Sequence, residues 1–388
     1  MENNKKDRIY KTVMLILITA IITFMITSVG MYNYFVKESI SKDTADITRR
    51  LEKVKKCLQE HYIGELDIEK MEETAIKGYV QGLGDEYTEY LSKDEYEDLL
   101  ISIMGDYVGI GIYMTQDSDK NIIILLPIEG SPAEEAGLQT GDIILSIDGE
   151  DCANMDINVA SSKIKGKENS TVVLEISREN EIFTKTIERR TIEIKDSSAE
   201  VLENNIGYIE LSTFDEKSSK NVEAYLEDFQ KKGIKSIILD LRNNTGGIVT
   251  EALELSELFV KKNDTIIRSH SKTDEEIIVK SESKRTFDMN IVVLVNEYSA
   301  SATEIVTAAL KDNKIATIVG TKTYGKGVMQ EILTLFGESG ALKVTIEEFK
   351  TPNGDKINKI GITPDVIVED NIETEEDEQL QKAIEILK

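Results

Sequence analysis

Four stretches of the chain carry groups able to do chemistry together. They are EYSASATE at 297–304, Lys326 between Gly325 and Gly327, Gln330 four residues further on, and the pair Gly246-Gly247 after LDLRNNT at 239–245. Acyl transfer needs a nucleophile, a base and hydrogen-bond donors aimed at the developing oxyanion. Ser301 stands where the apolar run 291–296 gives way to helix-patterned residues near Ala302, which puts its hydroxyl beside the unpaired N–H groups of a helix start. A serine there is also an ordinary helix cap, and Ser299 precedes the same helix, so the residues alone do not separate the two. Gly246 lets its backbone approach a neighbouring atom closely. The N–H groups of Gly246 and Ala302 are therefore candidate oxyanion donors, although a Gly-Gly pair also serves a plain turn.

The base is the open place in this set. Only two histidines occur, His61 and His270, neither within a set of cysteines and carboxylates that completes a metal-ligand pattern, so a Ser-His-Asp arrangement and a metal site both have little support. A lysine can act instead when burial removes its charge. Lys326 is a candidate, in GTKTYGKG at 320–327. That stretch nearly spells a phosphate loop, but Gly327 stands where Ser or Thr is needed, and the residues after it read as an apolar hairpin around GESG at 337–340 instead of a helix. A solvated loop lysine is the plain alternative. Asp240 and Arg242 read as strand-end pairing and Glu304 as a first-turn helix charge.

The 388 residues carry 46 basic and 72 acidic side chains, a net charge of −26, with no basic stripe, which excludes nucleic acid as a partner class. Cys57 and Cys152 fall in separate segments and read as independent thiols. No cofactor or metal is expected. Residues 12–36 contain no charge and are long enough to cross a bilayer, where about 20 apolar residues suffice. Basic residues at 1–11 precede the run, so a membrane helix with a cytoplasmic N-terminus and an extracytoplasmic remainder is expected; cleavage near Ser28-Val29-Gly30 is the alternative.

Residues 37–92 read as a helical arm, with Ile47, Leu51, Val54 and Leu58 at helical spacing and a second helix over 68–80. Short apolar strands follow over 93–185. From 186 to 388 strands alternate with helices, which indicates an α/β (α+β) layered core.

Within 93–185, GSPAEEAGLQTGDIILSIDGE at 130–150 resembles the central signature of a PDZ domain, in which Val108, Gly109, Ile110, Gly111 and Ile112 take the place of the carboxylate-binding loop. Such a module works by strand addition: an extended peptide pairs with an exposed sheet edge. EYSASATEIVTAAL with GTKTYGKGVMQ resembles the paired motifs of the C-terminal processing peptidases, the tail-specific serine proteases of bacteria and plastids. LDLRNNTGG, TPNGDKI at 351–357, GITPDVIVED at 361–370 and GLGDEYTEYLS at 82–92 extend the likeness over nearly the whole chain after the apolar run. The resemblance implies a crotonase-like protease core with an inserted PDZ-like domain, Ser301 as nucleophile, Lys326 as base and Gln330 as the residue orienting that lysine. On a strand, the four-residue step puts Lys326 and Gln330 on one face.

It also implies protein substrates with accessible C-termini and a homodimer through the arm and the C-terminal region. Thr245 and Glu86 depart from the family, which usually has proline at both places, and Thr303 replaces a third serine. The first departure raises the expectation of a looser oxyanion loop. The competing function is a PDZ scaffold that binds tails without cutting them.

Overall fold

The computed structural model describes residues 42–104, 106–117, 120–179, 181–193, 196–273, 275–335, 340–369 and 376–388. The expected cytoplasmic segment 1–11 and membrane helix 12–36 lie outside these residues. Among the described residues no helix is long and apolar enough to cross a membrane.

The chain divides into two compact units, Met1–Thr74 and Ala75–Lys388. In the first, helix α1 (Lys42–His61) is followed by the start of α2 (Ile68–Gln81), and Lys55 pairs with Glu72 at 2.8 Å. The periodic residues Ile47, Leu51 and Val54 of α1 are all exposed. The second unit begins with β1 (Glu89–Leu91), α3 (Lys93–Met104), β2 (Asp106–Gly109), β3 (Ile112–Gln116) and β4 (Ile122–Pro127). The chain continues through α4 (Pro132–Glu135), β5 (Ile143–Ile147), β6 (Glu150–Asp151), α5 (Ile157–Ile164), β7 (Thr171–Arg178), β8 (Glu181–Glu188) and β9 (Arg190–Glu193). It then alternates through β10 (Ser197–Leu202), β11 (Ile206–Leu211), α6 (Ser218–Lys231), β12 (Ser236–Asp240), α7 (Val249–Glu257), β13 (Thr265–Ser271), β14 (Glu276–Lys280) and β15 (Asn290–Val295). Helix α8 (Ala302–Asp312), β16 (Ala316–Gly320), β17 (Val328–Thr334), β18 (Ala341–Lys350), β19 (Val366–Ile367) and α9 (Glu378–Leu387) complete it.

The central sheet has the order β10-β11-β12-β15-β16-β19, antiparallel between β10 and β11 and parallel elsewhere. Its central strands β12 and β15 are buried on both faces and therefore almost wholly apolar, whereas the edge strands β10 and β19 are partly exposed. Ile237, Leu239, Val293 and Val295 point to one side, into a core with Leu226 of α6, Leu255 of α7 and Ile305 of α8. Their chain neighbours Ile238, Val292 and Leu294 point to the other, where Ala383 of α9 is buried among them and Leu380 and Ile384 pack against it. This period of two fixes the layer order helix, sheet, helix. It also sends the C-terminal ends of β12, β15 and β16, three neighbouring parallel strands, to one edge, the place where open α/β sheets bind ligands.

A second, antiparallel sheet runs β1-β18-β13-β14, with β17 also on β18 as the expected hairpin. Residues 89–91 thus do not belong to the helical arm: Tyr90 and Leu91 are buried and pair with Leu342 and Ala341. A three-residue strand is too short to show a periodicity. The inserted module has the sheet order β3-β4-β5-β7-β8, with β6 on β5, around a separate core that includes Ile122, Ile144, Val172, Leu174 and Ile176. Its helices start on Ser131 and Asp156, whose side chains each accept from a backbone N–H of the first turn. The apolar stretch 107–114 is broken at Ile110–Gly111 into β2 and β3, and β2 pairs with β9, a ribbon formed where the chain enters and leaves the module.

Candidate active site

Asn244, after β12, builds the first wall of the site. It is fully buried; its side-chain amide donates to the Leu211 carbonyl at 2.9 Å, and its own carbonyl accepts from the Ala300 N–H at 3.0 Å and the Thr303 hydroxyl at 2.9 Å. The loop with Thr245 in place of proline is therefore tied directly to the serine turn, and the Thr303 hydroxyl is one of the ties. Gly246 (φ 107°) lies so close to that turn that a Cβ on it would sit 2.8 Å from the Ala300 carbonyl oxygen, 2.9 Å from Ser301 Cβ and 3.0 Å from the Ala302 nitrogen. Only glycine meets both demands. The two strand-to-helix junctions singled out from the sequence thus form one site. The Gly246 N–H donates to Asn244 Oδ1 at 2.9 Å, so that oxyanion donor is occupied from within, whereas among the described residues the Ala302 N–H has no acceptor.

Ser301 occupies the N-cap position of α8 with φ 55° and ψ −115°, a conformation that strains any residue with a side chain, and is 9% exposed. Ser299 is 0% exposed; its hydroxyl donates to the Leu241 carbonyl at 2.8 Å and accepts from the Asn296 N–H at 3.0 Å. The geometry therefore separates two serines that the residue pattern left equal: Ser299 is consumed in holding the turn, and Ser301 stands at its strained apex.

Glu304 joins this turn to the lysine loop. Its buried carboxylate accepts from the Ser301 N–H at 3.0 Å, the Thr323 hydroxyl at 2.6 Å, the Gly325 N–H at 2.8 Å and the Lys326 N–H at 2.8 Å. Burial pushes its carboxyl above the ordinary range against the pull of these bonds. It is more than a first-turn charge. The glycines beside Lys326 leave room for the chain's own segment 357–361, not for an outside peptide. Lys359 donates to the Gly325 carbonyl at 2.7 Å, and a Cβ on Gly327 would fall 2.3 Å from the Asn358 nitrogen.

Burial holds the Lys326 amine below the ordinary lysine range; Lys343 adds to the fall, and Glu89 and Glu304 oppose it. The Lys326 Nζ lies over the Tyr87 ring, 5.1 Å from its centroid, and among the described residues forms no hydrogen bond with Ser301 or Gln330. Gln330 donates its side-chain amide to the Tyr87 carbonyl. The expected shared strand face does not arise: β17 begins at Val328, after the lysine, and its pairing with β18 slips between Met329 and Gln330. What Lys326 and Gln330 share is Tyr87.

Tyr87 belongs to a segment pinned onto β18. Thr88 and Thr345 hydroxyls donate to Asp85 at 2.5 and 2.7 Å, and the Thr345 N–H donates to Thr88 Oγ1 at 3.1 Å. Sequence reasoning missed Tyr87, Asn244 and the bridging role of Glu304; the spacing of Asp85 and Thr88, which suits a side-chain-closed turn, was the available sign. Asp240 and Arg242 pair as expected, at 2.6 Å, and Arg242 also reaches Asp377, the cap of α9, at 2.8 Å. His270 sits in β13 opposite Glu276 and Glu348, with no bond to Ser301. Among the described residues no cluster of His, Cys, Asp and Glu could hold a metal.

In the inserted module Val108 and Gly109 are hydrogen-bonded in β2, while Ile110 and Gly111 connect it to β3 and Ile112 opens that strand. Strand β3 ends the sheet, with one side unpaired. Its first residue, Ile112, has a backbone hydrogen bond to the Tyr107 hydroxyl, and burial raises the pKa of that phenol.

Residues 205–368 match Peptidase family S41, and residues 123–178 match the PDZ domain family. The chain is 35% identical over 363 residues to a probable CtpA-like serine protease of Staphylococcus haemolyticus, covering 93% of this chain and 73% of that one. It is 34% identical to the protein of the same description from Staphylococcus aureus strain COL, covering 95% and 75%. Among solved structures it is similar to the photosystem II D1 C-terminal processing protease, with a TM-score of 0.50, 25% identity, and coverage of 86% of this chain and 90% of that chain. With identity at this level over most of both proteins, the chain belongs to peptidase family S41 and is a serine-type peptidase carrying a PDZ domain.

Proposed function

We propose that this peptidase is a membrane-anchored, extracytoplasmic endopeptidase that cuts proteins near their C-termini, with Ser301 as nucleophile, Lys326 as general base, and a PDZ domain that binds or senses substrate tails. The observation that carries it is the bridge through Glu304, which bonds the Ser301 turn and the Lys326 loop to one buried carboxylate. Neutral Lys326 takes the Ser301 proton as Oγ bonds to the scissile carbonyl carbon. The resulting oxyanion faces the Ala302 N–H, and the Gly246 N–H completes the hole once it turns from Asn244 Oδ1. Collapse breaks the C–N bond, and the Lys326 ammonium returns the proton to the leaving amine. Water then hydrolyses the ester with the same lysine as base. Gln330 orients Lys326 during this cycle, in keeping with the family resemblance.

Support for tail binding comes from the unpaired edge of β3 and the turn Ile110–Gly111 at its start. The anchor rests on the uncharged run 12–36 and its basic flank. A homodimer is consistent with the exposed apolar stripe of α1. Incubation with an unstructured protein and a fluorophosphonate probe tests the chemistry. The expected result is C-terminal trimming by mass and a probe adduct on the peptide containing Ser301. An adduct elsewhere, or an intact substrate, overturns it and favours a scaffold that binds tails without cutting them.

A further inference from the structure

We propose that Tyr87 is a positioning residue for the base: its ring seats the Lys326 ammonium while its backbone carbonyl holds the Gln330 amide, so segment 85–91 decides where both groups rest. This builds on the Ser301–Lys326 assignment above. Lys326 Nζ stands 5.1 Å from the centroid of the Tyr87 ring, whose face attracts a cation through its quadrupole. The carbonyl of the same residue accepts from Gln330. Tyr87 itself has little freedom, because Asp85 and Thr88 are bonded to Thr345 on one side and β1 is paired to β18 on the other.

The charged neighbours of Lys326 leave the ring as its seat. Lys343 of β18 repels the ammonium and is itself paired with Glu89 of β1. Glu304 of α8 attracts it, but its oxygens are already spent on four other donors. Burial, helped by Tyr324, Glu86 and Glu304, raises the pKa of the Tyr87 phenol, so the ring is neutral and its face intact. The attraction requires a positive amine. Loss of the proton therefore frees Lys326 from the ring in the form that can take the Ser301 proton, and the ring favours the resting, charged amine before the cycle begins.

Direct titration of the amine tests this without relying on catalysis. In the Ser301→Ala protein, competitive acetylation of Lys326 with acetic anhydride across pH, read by peptide mass, gives the midpoint at which the amine becomes reactive. Tyr87→Leu keeps the site apolar and removes the quadrupole, so the midpoint is expected to fall by roughly half a pH unit to one, the size of a cation–π contact. Tyr87→Phe keeps the ring and should leave the midpoint in place. Tyr87→Met substitutes for the leucine variant if that protein does not fold. A midpoint unmoved by Leu or Met, or moved as far by Phe, overturns the proposal. In the active enzyme the rising limb of kcat/KM is expected to move with the midpoint. A wild-type limb that fails to track Lys326 titration counts against the dyad itself, while the acetylation result still decides on Tyr87.

Discussion

The serine turn and the lysine loop are held by opposite means. Ser301 is fixed by its own helix and by the loop after the adjacent strand of the same sheet: Glu304 is three residues on, and Asn244 follows β12, the direct neighbour of β15. Lys326 has no such local frame. Its backbone rests on Glu304, its flanking glycines on segment 357–361, and its amine on Tyr87, which arrives from the far end of the chain before the PDZ domain. In the proposed dyad the nucleophile sits in a rigid junction, whereas the base, which sheds and regains a proton, sits where several independent segments can adjust it. In the chain the PDZ domain lies between Tyr87 and the strands of the central sheet.

The difference between the two holds can be broken in graded ways. The largest effect is expected for Ser301→Ala, where peptide cleavage should fall by about a millionfold, as for loss of a serine nucleophile elsewhere; retained cleavage would move the nucleophile away from this turn. Glu304→Leu leaves four donors without their acceptor and is expected to lower stability by about 3–5 kcal/mol in denaturant unfolding. A loss near zero would mean that turn and loop are held independently. Lys326→Arg keeps the charge but gives up the proton exchange, because a guanidinium does not deprotonate, so activity should drop by at least about a hundredfold, as with Ala.

In the wild type the rate should climb with pH through a midpoint below the ordinary lysine value, since burial lowers that of Lys326 and only the neutral amine accepts a proton. A flat profile from mildly acidic to alkaline pH would contradict it. The smallest effect sharpens the picture. Ser299→Ala should cost about 1–2 kcal/mol of stability, from the lost bonds to Leu241 and Asn296, while cleavage survives.

Several parts of this were legible in the residues. Strands such as 236–240 and 290–295 announce themselves as buried by continuous apolar runs, α1 by its periodicity, and β17 and β18 by two apolar-rich runs on either side of GESG in the sequence. The serine junction could be placed because strand end, glycine pair and helix start all lie within short stretches. What escaped was whatever depends on contacts between distant segments: β1, whose three residues carry no period, and the register slip in β17 that takes Gln330 off the face of Lys326. What approaches the Lys326 glycines was not legible for the same reason, since a glycine shows that something comes close but not what.

The sequence by itself determined which groups exist to do the work, and where the backbone would turn from strand to helix, because burial pattern and helix capping are set by neighbours a few residues apart. The tertiary structure decided which serine is spent on the turn, that one buried carboxylate joins the Ser301 turn and the Lys326 loop, and that the lysine rests on Tyr87. The physical reason is range: hydrogen bonding to a cap is local in the chain, while desolvation of an amine and its choice of partner depend on every segment that packs around it.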